Sequence, residues 1–212
     1  MIGIKSEFEG AEMKPTKEYL RSLLEETEEL AKTFDYSDVD VTNAEIRFLA
    51  TKKYNWLGLH EGIASRADIK AKRSDFSEKI RLDCGFYNKF FYIAGKLVKV
   101  ESYVSGHDQM AAWYRTYYTG NRRFLYPSGW EGENRLGYIF VTEYRDGRVY
   151  EEYMVGKTQI VFWRYRYSEE GTVESYYINY VPTGMYPILS ESEGIYDQET
   201  LEYKETNSYV WH

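Results

Sequence analysis

The chain has 212 residues, of which 43% are hydrophobic and 29% charged, an ordinary globular composition long enough for one large or two small domains. Its net charge of −7 divides into −6 over residues 1–40, +4 over 41–90, zero over 91–185 and −5 over 186–212. A basic face suited to nucleic acid is therefore confined to residues 47–89, where a solvated surface is the simpler account, and nucleic acid is not expected as a partner.

Met1 to Lys14 carries Glu7, Glu9 and Glu12 and lacks the apolar core of a signal peptide. No stretch reaches the roughly 18 to 20 apolar residues of a membrane span, so a cytoplasmic protein with no membrane partner is expected. The lone Cys84 cannot form an intramolecular disulfide, and nothing calls for an oxidising compartment.

From Thr16 to Phe34 the apolar residues Leu20, Leu23, Leu24, Leu30, Ala31 and Phe34 share one stripe, with Glu25, Glu26, Glu28 and Glu29 around the rest. This predicts an amphipathic helix, started by Pro15-Thr16 and stopped by the polar run Asp35 to Asp40. In residues 44–85, Ile46, Phe48 and Ala50 alternate as in a strand, Glu61 to Lys72 reads as a short polar helix, and Phe76 to Cys84 opens the sheet that follows.

From Phe86 onward, apolar and aromatic runs are separated by glycines at 95, 106, 120, 147, 156 and 171, the signature of an antiparallel meander. Twenty of the 23 tyrosines lie in this part, since only Tyr19, Tyr36 and Tyr54 precede it. Tyrosine favours pleated, half-buried surface. Asp146-Gly147 is the clearest hairpin turn, because the pair supplies the positive φ angles that a tight connection demands.

Gly95, Tyr103, Gly106, Trp113 and Tyr117 recur as Gly147, Tyr153, Gly156, Trp163 and Tyr167, the last three at an offset of 50 residues. Four hairpin units fit between Phe86 and about Met185, the second interrupted by the loop Pro127 to Leu136. The segment Tyr144 to Lys157, with Trp163 to Tyr167 and Gly171, resembles the MORN-like repeats of bacterial antitoxin or immunity-type proteins. That resemblance implies a cytoplasmic bacterial protein that binds and blocks a partner protein.

On the run Val161 to Tyr167, alternation puts Trp163, Tyr165 and Tyr167 on one face, where repeating aromatics read as core. Arg164 and Arg166 fall on the other, an exposed stripe of a residue type enriched at binding hot spots, with Glu152 or Glu174 as cross-strand partners if the stripe is merely structural. The loop Asn121 to Gly137 offers Arg122, Arg123 and Trp130, since a long loop in a tight meander is a common place for function. Arg122, Arg123, Trp130, Arg164 and Arg166 are thus the candidate binding residues.

No catalytic constellation or metal site is expected. His60, His107 and His212 lack ligand spacing, Asp35, Asp38 and Asp40 lack the glycine and closing glutamate of a calcium loop, and no phosphate-binding glycine motif occurs, so no cofactor is expected. Glu151 and Glu152 cannot act as a pair on a strand, because neighbours point to opposite faces.

The expected fold is α+β: an N-terminal helical and mixed region over residues 1–85, packed on a long, curled antiparallel meander of about eight strands over 86–212, in one continuous unit. Twist favours curling or closure into a barrel over an open sheet. The expected function is a non-enzymatic protein-binding module of immunity or antitoxin type, its partner a toxin. The alternative is a small-molecule binder or hydrolase with an aromatic-lined cleft for a sugar or apolar ligand, using Glu131, Glu133 or Glu143 as acid. A sheet surface that joins copies of the chain is a third reading.

Overall fold

The computed structural model describes residues 13–35, 39–51, 73–77, 86–104, 114–127, 136–183 and 187–210. The helix forms where its pattern predicts, as α1 (Lys17–Thr33), with the Thr16 hydroxyl accepting from the Tyr19 backbone N–H at 3.1 Å as N-cap. Glu18 in its first turn and Lys32 in its last complement the helix dipole.

Twelve strands are present among the described residues: β1 (Glu45–Thr51), β2 (Arg73–Ser77), β3 (Phe86–Ile93), β4 (Lys96–Val104), β5 (Tyr114–Thr119), β6 (Arg122–Pro127), β7 (Tyr138–Arg145), β8 (Arg148–Val155), β9 (Ile160–Tyr167), β10 (Thr172–Tyr180), β11 (Ile188–Asp197) and β12 (Tyr203–Val210). They form one sheet in the order β12-β11-β10-β9-β8-β7-β6-β5-β4-β3-β1-β2, every described pairing antiparallel. From β3 to β12 it is an uninterrupted meander. The order is linear, with β12 and β2 as its two edges, so the sheet is open and no barrel forms.

The expectation of about eight strands holds for β3 to β10 and falls short overall. At one side β1 and β2 extend the sheet, β1 pairing with β3 from Glu45↔Tyr92 to Thr51↔Phe86. At the other, β11 and β12 extend it beyond the last repeated unit. The short helix expected over Glu61 to Lys72 lies outside the described residues, as does all of the Phe76 to Cys84 run after Ser77.

A helix of 17 residues is about 25 Å long, the width of about six strands spaced ~4.8 Å apart. The side chains beneath α1 match that span. Leu20 and Leu23 pack with Tyr117 of β5, Phe124 and Tyr126 of β6, Ile139 and Val141 of β7, Tyr153 and Val155 of β8, Ile160 and Phe162 of β9, and Tyr176, Ile178 and Tyr180 of β10. Tyr19 near the helix start meets Phe162 edge-on, with ring centroids 6.2 Å apart, while Phe34 just past its end stacks on Phe124 at 3.7 Å. The helix thus crosses the strands.

The opposite face is buried too, in two clusters. Phe90, Val100, Leu125 and Phe140 form one, and Val149, Tyr165, Val173 and Tyr196 the other. This corrects the reading of the Val161 to Tyr167 face pattern. Tyr165 is core as expected, but Phe162 and Arg164, placed on an exposed face by sequence, lie on the face that α1 covers. The repeat keeps its facing at Tyr103 and Tyr153, both on the helix side, but not at its last position. The pairs Tyr117↔Phe124, Phe124↔Ile139, Ile139↔Val155 and Val155↔Ile160 place Tyr117 on the helix side, whereas Tyr167 belongs to the far side.

Replacing Leu20 by Ala removes a fully buried side chain where helix and sheet cannot close the gap, and should cost about 2–5 kcal/mol by chemical denaturation. Glu25→Ala, on the exposed side of the same helix, should stay within about 0.5 kcal/mol of wild type.

Candidate functional site

In a meander every second turn returns to the same end of the sheet. The β3–β4, β5–β6, β7–β8 and β9–β10 turns hold Gly95, Gly120, Gly147 and Gly171, all with positive φ, in a row at one end. In the β7–β8 turn Asp146 (φ 52°) and Gly147 (φ 74°) are both left-handed, the requirement of a two-residue hairpin loop whose twist matches its strands. The β11–β12 turn is bound to its neighbour: the Gln198 N–H donates to the Gly171 carbonyl at 2.9 Å, and Gln198 Nε2 donates to the Thr172 carbonyl at 3.3 Å.

Between these turns lies a cleft of about 460 Å³, lined by Arg145, Asp146, Arg148, Val149, Tyr150, Tyr165, Arg166, Tyr167, Ser168, Glu169, Gly171 and Gln198. Three guanidinium groups and three phenol rings converge there. The Arg145 guanidinium sits over the Tyr150 ring at 3.8 Å from its centroid, and that of Arg148 over Tyr167 at 5.1 Å. Such stacking fixes a long side chain while leaving its in-plane N–H donors able to meet a ligand. Arg166 is paired with Glu174. Among the described residues Arg148 makes no ion pair, so its charge is the one most open to an anion.

Of the candidate binding residues that are described, Arg166 alone lines this cleft. Arg164, two residues earlier on β9 and on the same face, is held beneath α1. Its Nε and Nη2 reach Glu151 Oε1 at 2.8 and 2.7 Å, and the Tyr19 hydroxyl donates to Glu151 Oε2 at 2.6 Å. Burial, and then the bond to Glu151, raises the Tyr19 phenol well above its ordinary range. Arg164 is therefore part of the helix anchor rather than of an exposed stripe, and its partner is Glu151 instead of Glu152.

Arg122 and Arg123 lie on β6 rather than in a loop. The run Arg122 to Pro127 alternates Phe124 and Tyr126 toward α1 with Leu125 away from it, which is strand parity. Arg122 faces the helix, 3.9 Å from Glu26. Arg123 points to the far side, almost fully buried, and donates from Nη2 to the Thr142 hydroxyl at 2.7 Å. That hydroxyl and the Tyr165 hydroxyl each donate to Glu152 at 3.3 Å. Glu151 and Glu152 do point to opposite faces, as expected. Trp130, Glu131 and Glu133 lie outside the described residues.

Glu143, an acid of the alternative reading, has its carboxyl pushed up, chiefly by burial and further by Glu151 and Glu26, against the Asn121 hydrogen bond and Arg122. It sits under the helix and does not line the cleft. Arg145 and Arg148 went unselected by sequence, although the signal was present: they bracket the clearest hairpin turn of the chain.

Against this fold and site, comparison with known families, characterised proteins and solved structures finds no match.

The two β9 arginines should separate in stability. Arg164→Ala leaves a buried carboxylate with only Tyr19 for company and should cost about 3 kcal/mol. Arg166→Ala breaks an exposed pair and should cost less than about 1 kcal/mol in the same denaturation experiment.

Proposed function

We propose that the protein is a non-enzymatic protein-binding module of the immunity or antitoxin type, which blocks a partner by seating an acidic or aromatic side chain of it in the turn-end cleft. The convergence of Arg145, Arg148 and Arg166 with Tyr150, Tyr165 and Tyr167 carries this reading. Arginine and tyrosine are the side chains that most often dominate binding energy at protein interfaces, because each joins a large flat contact area to hydrogen-bond donors. The turns that present them are short, and that of β9–β10 is bound to that of β11–β12, so little ordering entropy is lost when a partner docks. The resemblance of Tyr144 to Lys157 to MORN-like immunity proteins covers the same turn.

A second reading, a binder or hydrolase of a small sugar or apolar ligand, draws on the same cleft, whose volume and tyrosine walls suit a ligand of that size. The separation of Glu143 from the cleft favours the first.

Co-expression with the product of the adjacent upstream reading frame should yield a stoichiometric complex and relieve that product's toxicity. In that complex Arg148→Ala and Tyr167→Ala should each weaken binding by about 2 kcal/mol, roughly thirtyfold in Kd by titration calorimetry. Unchanged affinity in both variants would remove the cleft from the interface.

A further inference from the structure

The sheet ends at β12, a strand with no described neighbour beyond it and with all eight of its residues exposed. Tyr203, Tyr209 and Val210 are 44%, 42% and 56% exposed, and Leu189 and Ile195 on β11 are also open. A long edge with no described strand along its outer side is a template for another strand. Native edges are usually blunted by charge or proline. This one has no proline, and its two charges, Lys204 and Glu205, cancel.

We propose that β12 pairs with β12 of a second copy of the chain, antiparallel about a twofold axis between Thr206 and Asn207. The register follows from the faces. On β12, Tyr203↔Tyr196, Glu205↔Gly194, Ser208↔Ser192 and Val210↔Ser190 lie on the side away from α1, while Lys204↔Ile195, Asn207↔Glu193 and Tyr209↔Glu191 lie on the helix side, with Thr206 as the extra residue of a bulge. Directly opposed residues of antiparallel strands must share a face. In the proposed register Tyr203 opposes Val210, Lys204 opposes Tyr209 and Glu205 opposes Ser208, each pair occurring twice and each respecting its face. A slip of one residue in either direction opposes groups from different faces along both arms. A slip of two leaves either Tyr209 and Val210 or Tyr203 and Lys204 with no opposing residue of the partner strand.

The pairs themselves are favourable. Tyrosine against valine is an aromatic and β-branched pair, lysine against tyrosine brings a cation to a ring, and no like charges are opposed. Tyr203 is already in place for this role: its ring covers Gly194, where a Cβ would fall 2.1 Å from it, and lies 4.6 Å from Tyr196. A partner's Val210 would extend that row. The acidic β11–β12 turns, with Asp197, Glu199 and Glu202, fall at opposite ends of the joined strands and do not meet. The contact is isologous and closes at two copies.

Sedimentation equilibrium on the full chain tests this. Wild type should dimerise below about 0.1 mM. Tyr209→Lys sets like charges opposite one another twice and should weaken the dimer by at least about tenfold. Adding Lys204→Glu to that variant should restore it, since position 204 opposes 209 in this register only. Both substituted positions are exposed, so folding is not at stake, and circular dichroism should be unchanged. A wild type that stays monomeric overturns the proposal and leaves the edge to a strand of a different protein. A dimer insensitive to Tyr209→Lys, or unrestored by the second change, overturns it as well.

Discussion

Burial of one sheet face beneath α1 is the contact on which the remaining features depend. The helix is long enough to cross six strands and the sheet has twelve. Leu20, Leu23 and Phe34 cover the middle of the face from β5 to β10 and drive the docking through apolar area removed from water. Beyond that span the cover thins, and β12 at the edge is exposed throughout. The length of one helix thus decides which part of the sheet is core and which is left as surface.

The same docking sorts the charged residues. Arg164 and Glu151 lie beneath the helix, where a lone charge is costly, and they are joined to each other and to Tyr19. Arg166, one pleat further along, emerges past the covered zone toward the turns and pairs with Glu174 in water. Two arginines of equal appearance in sequence thereby acquire different work. One locks the helix to the sheet, and the other belongs to the rim of the cleft.

The twist and pleat of the meander bring the turns of β7–β8, β9–β10 and β11–β12 side by side, and the cleft exists only because of that convergence. Arg145 and Arg148 come from one turn, Arg166 and Tyr167 from the strand before the next, and Gln198 from the third. No two of these three groups are close enough in sequence for spacing to reveal the assembly. The turn glycines mark where the row of loops will be, but not which side chains meet in it.

Local chemistry made much of the fold legible. The stripe of Leu20, Leu23 and Phe34 with Thr16 before it determined α1, and the spacing of Gly95, Gly120, Gly147 and Gly171 determined β3 to β10, because helix and hairpin periodicities are set by neighbours along the chain. β11 and β12 were hidden for the converse reason: in Ile188 to Val210 the apolar residues are scattered over both faces among Ser, Glu, Asn and Thr, so no apolar alternation marks the strands. Face assignment depended on tertiary structure as well. Alternation along Val161 to Tyr167 marks the side of Trp163, Tyr165 and Tyr167 as core and leaves the arginine side as surface, and only the position of α1 decides that Arg164 is enclosed while Arg166 is open. Sequence alone determined where β3 to β10 turn at one end of the sheet, through glycine's access to positive φ. Which residues those turns gather into a cleft, and which edge stays bare, was decided by the packing of a helix narrower than its sheet.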